Sequence, residues 1–211
     1  GTERFFRPGY AANLVASWIP SFEGLDAALR KGIRVADVGC GHGASTIVLA
    51  TEYPASTFIG SDYHPPSIEA ARKAASEAGV ADRTSFEVER AQELSGGPYD
   101  LICMFDCLHD MGDPAGAATR LREQLAPGGR LLLVEPNGGD TLSDNLNPVG
   151  RFFYAASTAI CTQSAVAQGA ADALGAQAGE ARTRAVFEAA GWSSFRKATE
   201  TPFNVGYEVN A

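Results

Sequence analysis

From Ala11 to Leu29 the apolar residues Leu14, Val15, Trp18, Ile19, Phe22, Leu25 and Leu29 recur every three to four positions, a helical spacing that Pro20 interrupts. The pattern then shortens. Ile33-Arg34-Val35-Ala36-Asp37-Val38 is rich in β-formers, runs into a glycine cluster and is followed by a helical run from Ser45 to Glu52. The alternation continues with a strand over 57–60, a helix over 65–78 whose Pro65 or Pro66 suits the first turn and whose Gly79 suits the C-terminal cap, and strands over 85–89 and 99–105. A helix over 114–125, the Pro127-Gly128-Gly129 turn and a strand over 130–135 follow. Alternating strands and helices predict an α/β fold with a mostly parallel sheet covered on both faces, a doubly wound arrangement. Beyond Pro136 the rhythm breaks. Residues 137–150 are rich in Gly, Asn, Asp and Pro, and 157–179 in Ala, Gln and Gly, so 137–179 reads as an insertion of loop and loose helices. A helix over 181–190 and strands over 194–199 and 202–209 close the chain, and the short link between the last two predicts an antiparallel pair.

Composition narrows the class. A chain of 211 residues with 45% hydrophobic and 20% charged residues fits one ordinary domain. Seventeen Lys and Arg against 25 Asp and Glu leave a formal charge of -8, which repels polyanions and favours a small-molecule substrate over nucleic acid. Cys40, Cys103, Cys107 and Cys161 lack the spacing of a disulfide scaffold, and no stretch is apolar and long enough to span a bilayer, so a cytoplasmic protein with reduced thiols and no membrane partner is expected. Gly1 in place of Met, followed at once by Phe5-Phe6-Arg7-Pro8-Gly9-Tyr10, reads as a trimmed chain with material missing upstream.

The glycine cluster carries the first chemistry. Gly39-x-Gly41-x-x-Ala44 satisfies the dinucleotide fingerprint, in which glycines bring the backbone close to a pyrophosphate at a helix N-terminus. Asp37, two positions earlier, opposes that reading: a carboxylate repels a pyrophosphate and attracts the ammonium and sulfonium of S-adenosylmethionine. Asp62, at the end of the second strand, stands where a nucleotide site places an acceptor for ribose hydroxyls, and its competing role is a turn or cap before Pro65. No Tyr-x-x-x-Lys pair occurs, which further disfavours a nicotinamide reductase.

Val35-Ala36-Asp37-Val38-Gly39-Cys40-Gly41-His42-Gly43 resembles the first motif of class I S-adenosylmethionine-dependent methyltransferases, and Phe58-Ile59-Gly60-Ser61-Asp62 their second. Tyr99 to Asp106 resembles their fourth strand, and Leu121 to Leu131 their following helix, Pro-Gly-Gly turn and fifth strand. The resemblance covers about residues 33–136. It implies a Rossmann-like seven-stranded sheet of order 3-2-1-4-5-7-6 with strand seven antiparallel, S-adenosyl-L-methionine as cofactor, a helical segment over 1–32 and the methyltransferase domain over 33–211 with a lid-like insertion at 137–179. On it, Asp37, Gly39, Cys40, Gly41, Gly43, Asp62, Tyr63, Phe105 and Asp106 are cofactor residues. The family's acidic residue after strand three is absent; Glu89-Arg90-Ala91-Gln92 stands there, so Ala91 and Gln92 or backbone groups take the adenine. A narrower resemblance, through Phe6 to Tyr10, Phe105 to Pro114 and Asn145 to Arg151, is to bacterial proteins with a winged-helix domain before such a domain, which implies a homodimer made through an N-terminal region.

His109, after strand four, is the candidate base for an oxygen acceptor, with a cap or a structural pair with Asp110 as the competing role. Tyr10, Asn147, Arg151 and Tyr154 are candidate substrate residues. Cys103, Cys107 and His109 have zinc-ligand chemistry without the spacing of a site, and no metal is expected. His42 and His64 read as loop residues at the edge of the adenosine pocket. The competing function is a catalytically silent S-adenosylmethionine-binding domain of a regulatory protein.

Overall fold

A computed structural model describes residues 2–211. Seven strands, β1 (Arg34–Val38), β2 (Thr57–Asp62), β3 (Thr84–Val88), β4 (Tyr99–Phe105), β5 (Leu125–Pro136), β6 (Ser194–Glu200) and β7 (Asn204–Asn210), form one sheet of order β3-β2-β1-β4-β5-β7-β6. The first five run parallel, and β7 is antiparallel to both β5 and β6. The sheet order and the antiparallel last strand are those the motifs imply.

Alternation along each strand builds two cores. Val35, Leu101, Cys103, Leu132 and Val134 point to one face, where α3 (Ala44–Glu52), α4 (Pro65–Glu77) and the N-terminal elements cover them. Ala36, Val38, Ile102, Met104, Leu131 and Leu133 point to the other, beneath α5 (Pro114–Glu123) and α8 (Gly179–Ala189), where Phe187 and Trp192 close the layer. Both sets are buried, so the central strands read as continuous apolar runs.

Three segments differ from the sequence reading. The N-terminal helix begins well before Ala11: α1 spans Thr2–Asn13 with Pro8 inside, followed by a π-helical turn Leu14–Trp18, a 3-10 turn Ile19–Ser21 and α2 (Leu25–Lys31). Phe6, Tyr10, Leu14 and Trp18 extend one helical stripe back across Pro8, and burying that stripe against the sheet outweighs the lost amide donor. β5 starts at Leu125, paired with Tyr99, then bulges through the Pro-Gly-Gly turn, where Gly128 has φ 77°, and resumes at Arg130. The insertion is more helical than its composition predicts. α6 (Pro148–Ala156), a π-helical turn Ser157–Cys161 and α7 (Thr162–Ala167) follow one another without a break.

Gly60 illustrates how closely β2 is packed. A Cβ there would stand 2.6 Å from the Phe86 ring and 2.9 Å from Cys40 Sγ, both buried. Gly60→Ala is expected to cost about 1–3 kcal/mol through overpacking, read in thermal denaturation as a Tm lower by roughly 2–4 °C per kcal/mol; an unchanged Tm would contradict this packing.

Candidate active site

The carboxyl ends of β1, β2 and β4 open into a cleft of about 1190 Å³, larger than the roughly 300–1,000 Å³ of a typical single-ligand pocket and so roomy enough for two reactants. Its floor is the glycine loop. Gly39, Gly41 and Gly43 have φ of 74°, 52° and 75°, a conformation that side-chain-bearing residues adopt only with strain. The amides of Gly39 and Cys40 donate to the carbonyl of Ser61 at 2.8 and 3.0 Å, tying the loop to β2. Asp62 holds the same loop from the other side, accepting from the Gly41 amide at 3.0 Å and from the His64 amide at 2.9 Å. A Cβ on Gly41 would meet nothing within 4 Å, so the loop backbone is open to a ligand there.

Two of the expected loop residues stand behind the cleft wall. Gly43 is not part of the lining; a Cβ there would press on Phe86 and Ala71, so its role is close packing of α3. Asp37 is 1% exposed and also lies beneath the loop. Its Oδ2 accepts from Ser45 Oγ and Thr46 Oγ1, each at 2.6 Å, fixing the first turn of α3, while its Oδ1 is buried with no partner among the described residues. Burial pushes this carboxyl up to about 6, with the charge of Asp62 adding to the effect. A cationic group seated on the loop would supply the counter-charge that Asp37 lacks, and the residues here fit an S-adenosylmethionine ammonium and sulfonium better than a pyrophosphate.

The remaining cofactor candidates come together on the wall. Cys40, Asp62, Tyr63, Ala91, Gln92, Phe105 and Asp106 all line the cleft, as do His42 and His64. Tyr63 is exposed beneath the Arg90 guanidinium, 5.6 Å from its ring centroid. Gln92 is committed elsewhere in part, since its Nε2 donates to the carbonyl of Asp113 at 2.8 Å.

After β4 the chain turns through Asp106, the one described non-glycine residue with positive φ, at 51°. Tyr10 Oη donates to its Oδ2 at 3.0 Å and Asn204 Nδ2 to its Oδ1 at 2.7 Å, so the turn is locked by α1 on one side and β7 on the other. Trp18 stacks on Phe105 with 6.1 Å between centroids. His109 follows and is buried. Its Nδ1 lies 2.5 Å from Glu135 Oε2, and Glu135 Oε1 accepts from the amides of Cys107 and Leu108 at 3.2 and 3.0 Å. Its Nε2 lies 3.1 Å from Asp110 Oδ1. Burial alone would lower the imidazole; the charge of Glu135, with Asp110 and Cys161 beside the ring, outweighs it and holds His109 well above the ordinary histidine range.

The substrate candidates divide. Tyr10 lines the cleft. Asn147 does not: its Oδ1 accepts from the Gly150 amide at 2.9 Å and caps α6. Arg151 and Tyr154 are exposed and lie outside the lining, because the cleft-facing side of the α6 segment is taken by Phe152, Phe153 and Ala156, with Ile160 one turn on. The sequence reading also missed three contributors. Glu135 had a visible signal, an acid closing the apolar run Leu131 to Val134. Asn204 and Phe5, the latter stacked on Phe152 at 5.2 Å, had none, since their neighbours come from distant parts of the chain.

Asp106 supplies a test of this packing. Burial and the nearby Glu135 push its carboxyl from the ordinary 3.8 up to about 8, against the opposing pull of His109, Tyr10 and Asn204. The folded state therefore keeps a proton that the unfolded chain gives up, and stability falls as pH rises from about 4 to about 8. Asp106→Asn, which tolerates the left-handed backbone, is expected to remove that loss: its Tm should gain on the parent by a few degrees near pH 9 relative to pH 5. Equal Tm differences at the two pH values would refute the assignment.

A family model described as Methyltransferase domain matches residues 29–191. Among curated proteins, the chain is 33% identical to a probable chloroplastic tocopherol O-methyltransferase of Oryza sativa subsp. japonica over 60% of its own length and 37% of that protein's. It is 31% identical to the 27-O-demethylrifamycin SV methyltransferase of Amycolatopsis mediterranei over 58% of the chain and 48% of that protein. The chain thus spans less than half the length of these relatives. In fold it is similar to an O-methyltransferase family protein from Burkholderia thailandensis (TM-score 0.71, 17% identity, 100% of this chain and 56% of that one). It is likewise similar to human N-acetylserotonin methyltransferase in complex with S-adenosylmethionine (TM-score 0.71, 16% identity, 99% and 54%). With that match over most of its length, its sheet order and its glycine loop, the chain belongs to the class I S-adenosylmethionine-dependent methyltransferases.

Proposed function

We infer that this domain moves a methyl group from S-adenosylmethionine to an oxygen of a small-molecule acceptor, with His109 as the base. The observation that carries the reading is the buried pair of His109 and Glu135, in which His109 lines a cleft whose floor is the glycine loop and Glu135 stands behind it. The relatives, several of them O-methyltransferases, support an oxygen acceptor.

Bound on the loop, S-adenosylmethionine would supply a methyl carbon already activated by its sulfonium. The residues that would hold it are Gly39, Cys40 and Gly41 below, Asp62 and Tyr63 beside the ribose and adenine, Ala91 and Gln92 at the adenine edge, and Phe105 and Asp106 towards the acceptor. Asp37 acts from beneath the loop through its charge. Alignment of acceptor and donor is the domain's main contribution, since an oriented displacement needs no covalent protein intermediate. Glu135 fixes the His109 ring through Nδ1, and Nε2, once it has given up the proton that the raised imidazole holds, is the atom that takes the acceptor's proton, so turnover rises with pH; the glutamate offsets the charge the ring gains. Phe5, Phe6, Phe152 and Phe153 make the outer wall apolar, which favours an acceptor with hydrophobic surface and keeps water from the reacting atoms. Tyr10 borders that space while it anchors α1.

Release of S-adenosylhomocysteine in a panel of phenols, carboxylates and amines identifies the acceptor class, and phenols or other hydroxyls are expected to turn over. On such an acceptor, His109→Ala is expected to lower kcat by about 10²–10⁴-fold with cofactor affinity unchanged in calorimetry, and Glu135→Gln to fall between the two. Full turnover by His109→Ala would remove the base from this account.

A further inference from the structure

His109 carries a second constellation on the side away from Glu135. Its ring nitrogen, a carboxylate oxygen of Asp110 and Sγ of Cys161 all lie within 4.8 Å of one another at the cleft wall. Asp110 Oδ1 is buried 3.1 Å from Nε2 and has no other partner among the described residues. Cys161, 8% exposed, ends the π-helical turn between α6 and α7; wide turns of this kind recur at functional sites because they re-aim a side chain out of the regular helical stripe. On the far side, a carboxylate on Nδ1 orients the ring so that Nε2 faces away from it, the arrangement that supports metal-bound histidines. Cys103 and Cys107 are the thiols nearest His109 in the sequence. The fold instead buries Cys103 in β4 and turns Cys107 Sγ to the carbonyl of Val38 at 3.2 Å, and brings Cys161 from the insertion.

We propose that His109, Asp110 and Cys161 bind a borderline-soft divalent cation of the zinc type, with the fourth position facing the cleft. One nitrogen, one oxygen and one sulfur donor match zinc and mismatch the all-oxygen shells of magnesium and calcium. Ligands at about 2.0–2.3 Å from a tetrahedral zinc stand roughly 3.3–3.8 Å from each other, so the three groups, already this close, reach that spacing by small side-chain rotations. The thiol and the Nε2 of the imidazole each release a proton to solvent as they take the cation, and Asp110 and Glu135 balance the added charge. Three protein ligands and one open position are the pattern of a reactive rather than a closed structural zinc site. One consequence rests on the function proposed above: a cation on Nε2 occupies the lone pair that would take the acceptor's proton, so zinc inhibits methyl transfer.

Cobalt(II) is the probe, titrated into the whole chain with no methyl donor or acceptor present. The expected result is saturation at one equivalent, with the visible bands of tetrahedral cobalt and a near-ultraviolet thiolate charge-transfer band, both bleached when zinc chloride displaces the cobalt. Cys161→Ser is expected to abolish the charge-transfer band, and Glu135→Gln to weaken zinc affinity about 10–100-fold, with circular dichroism confirming that both variants fold. Absence of saturable binding, or a charge-transfer band that survives Cys161→Ser, would overturn the site. If cobalt binds as expected and zinc leaves turnover unchanged, the cation site stands and His109 falls as the base.

Discussion

A carboxylate at the end of an apolar strand must find donors or lose its charge, and Glu135 sets the terms for everything after β4. Buried at 5% exposure beneath the turn that follows β4, it draws the amides of Cys107 and Leu108 and the ring of His109 to itself. Each donor comes from one short stretch, so the loop has little freedom left. That loop in turn places Asp106 in its left-handed turn and His109 on the cleft wall. The same physics repeats at Asp37, whose buried carboxylate gathers Ser45 and Thr46 and thereby starts α3 directly under the glycine loop.

The carboxyl ends of β1, β4 and β5 therefore each carry a buried acid, Asp37, Asp106 and Glu135, below one cleft. In a low-dielectric floor the charge of Asp37 and Glu135 favours cationic ligands, in keeping with a sulfonium cofactor and with a divalent cation beside His109, while Asp106 holds its proton up to about pH 8. The three acids are answered differently. Asp37 uses hydroxyls, Asp106 a phenol and an amide, and Glu135 backbone amides and an imidazole. The partners of Asp106 come from α1 and β7, so the cleft depends on elements far apart in the chain, and α1 belongs to it as much as the glycine loop does.

The sheet was legible because its signals are local. Short β-rich apolar runs, the glycine loop after Asp37 and the Pro-Gly-Gly turn each act within a few residues, and they give β1 to β5 with their helices. The Phe6 to Trp18 stripe was legible only from Ala11 on, since Pro8 lacks an amide donor and only packing on the sheet shows why it is tolerated. In the insertion, polar and small residues hid a nearly continuous helical segment. Asn147, Arg151 and Tyr154 there lie outside the cleft lining for a geometric reason: chemistry-bearing residues were visible, and the helical phase that decides which face meets the cleft was not. Partners such as Asn204 and Cys161, drawn from remote segments, leave no mark in local sequence.

The central claim is that these buried acids and the glycine loop make the floor a seat for a cationic nucleoside. Isothermal titration calorimetry with S-adenosylmethionine, S-adenosylhomocysteine and NAD tests it most directly. Saturable one-to-one binding of the first two, with no heat from NAD, is the predicted result; binding of NAD alone would contradict the account.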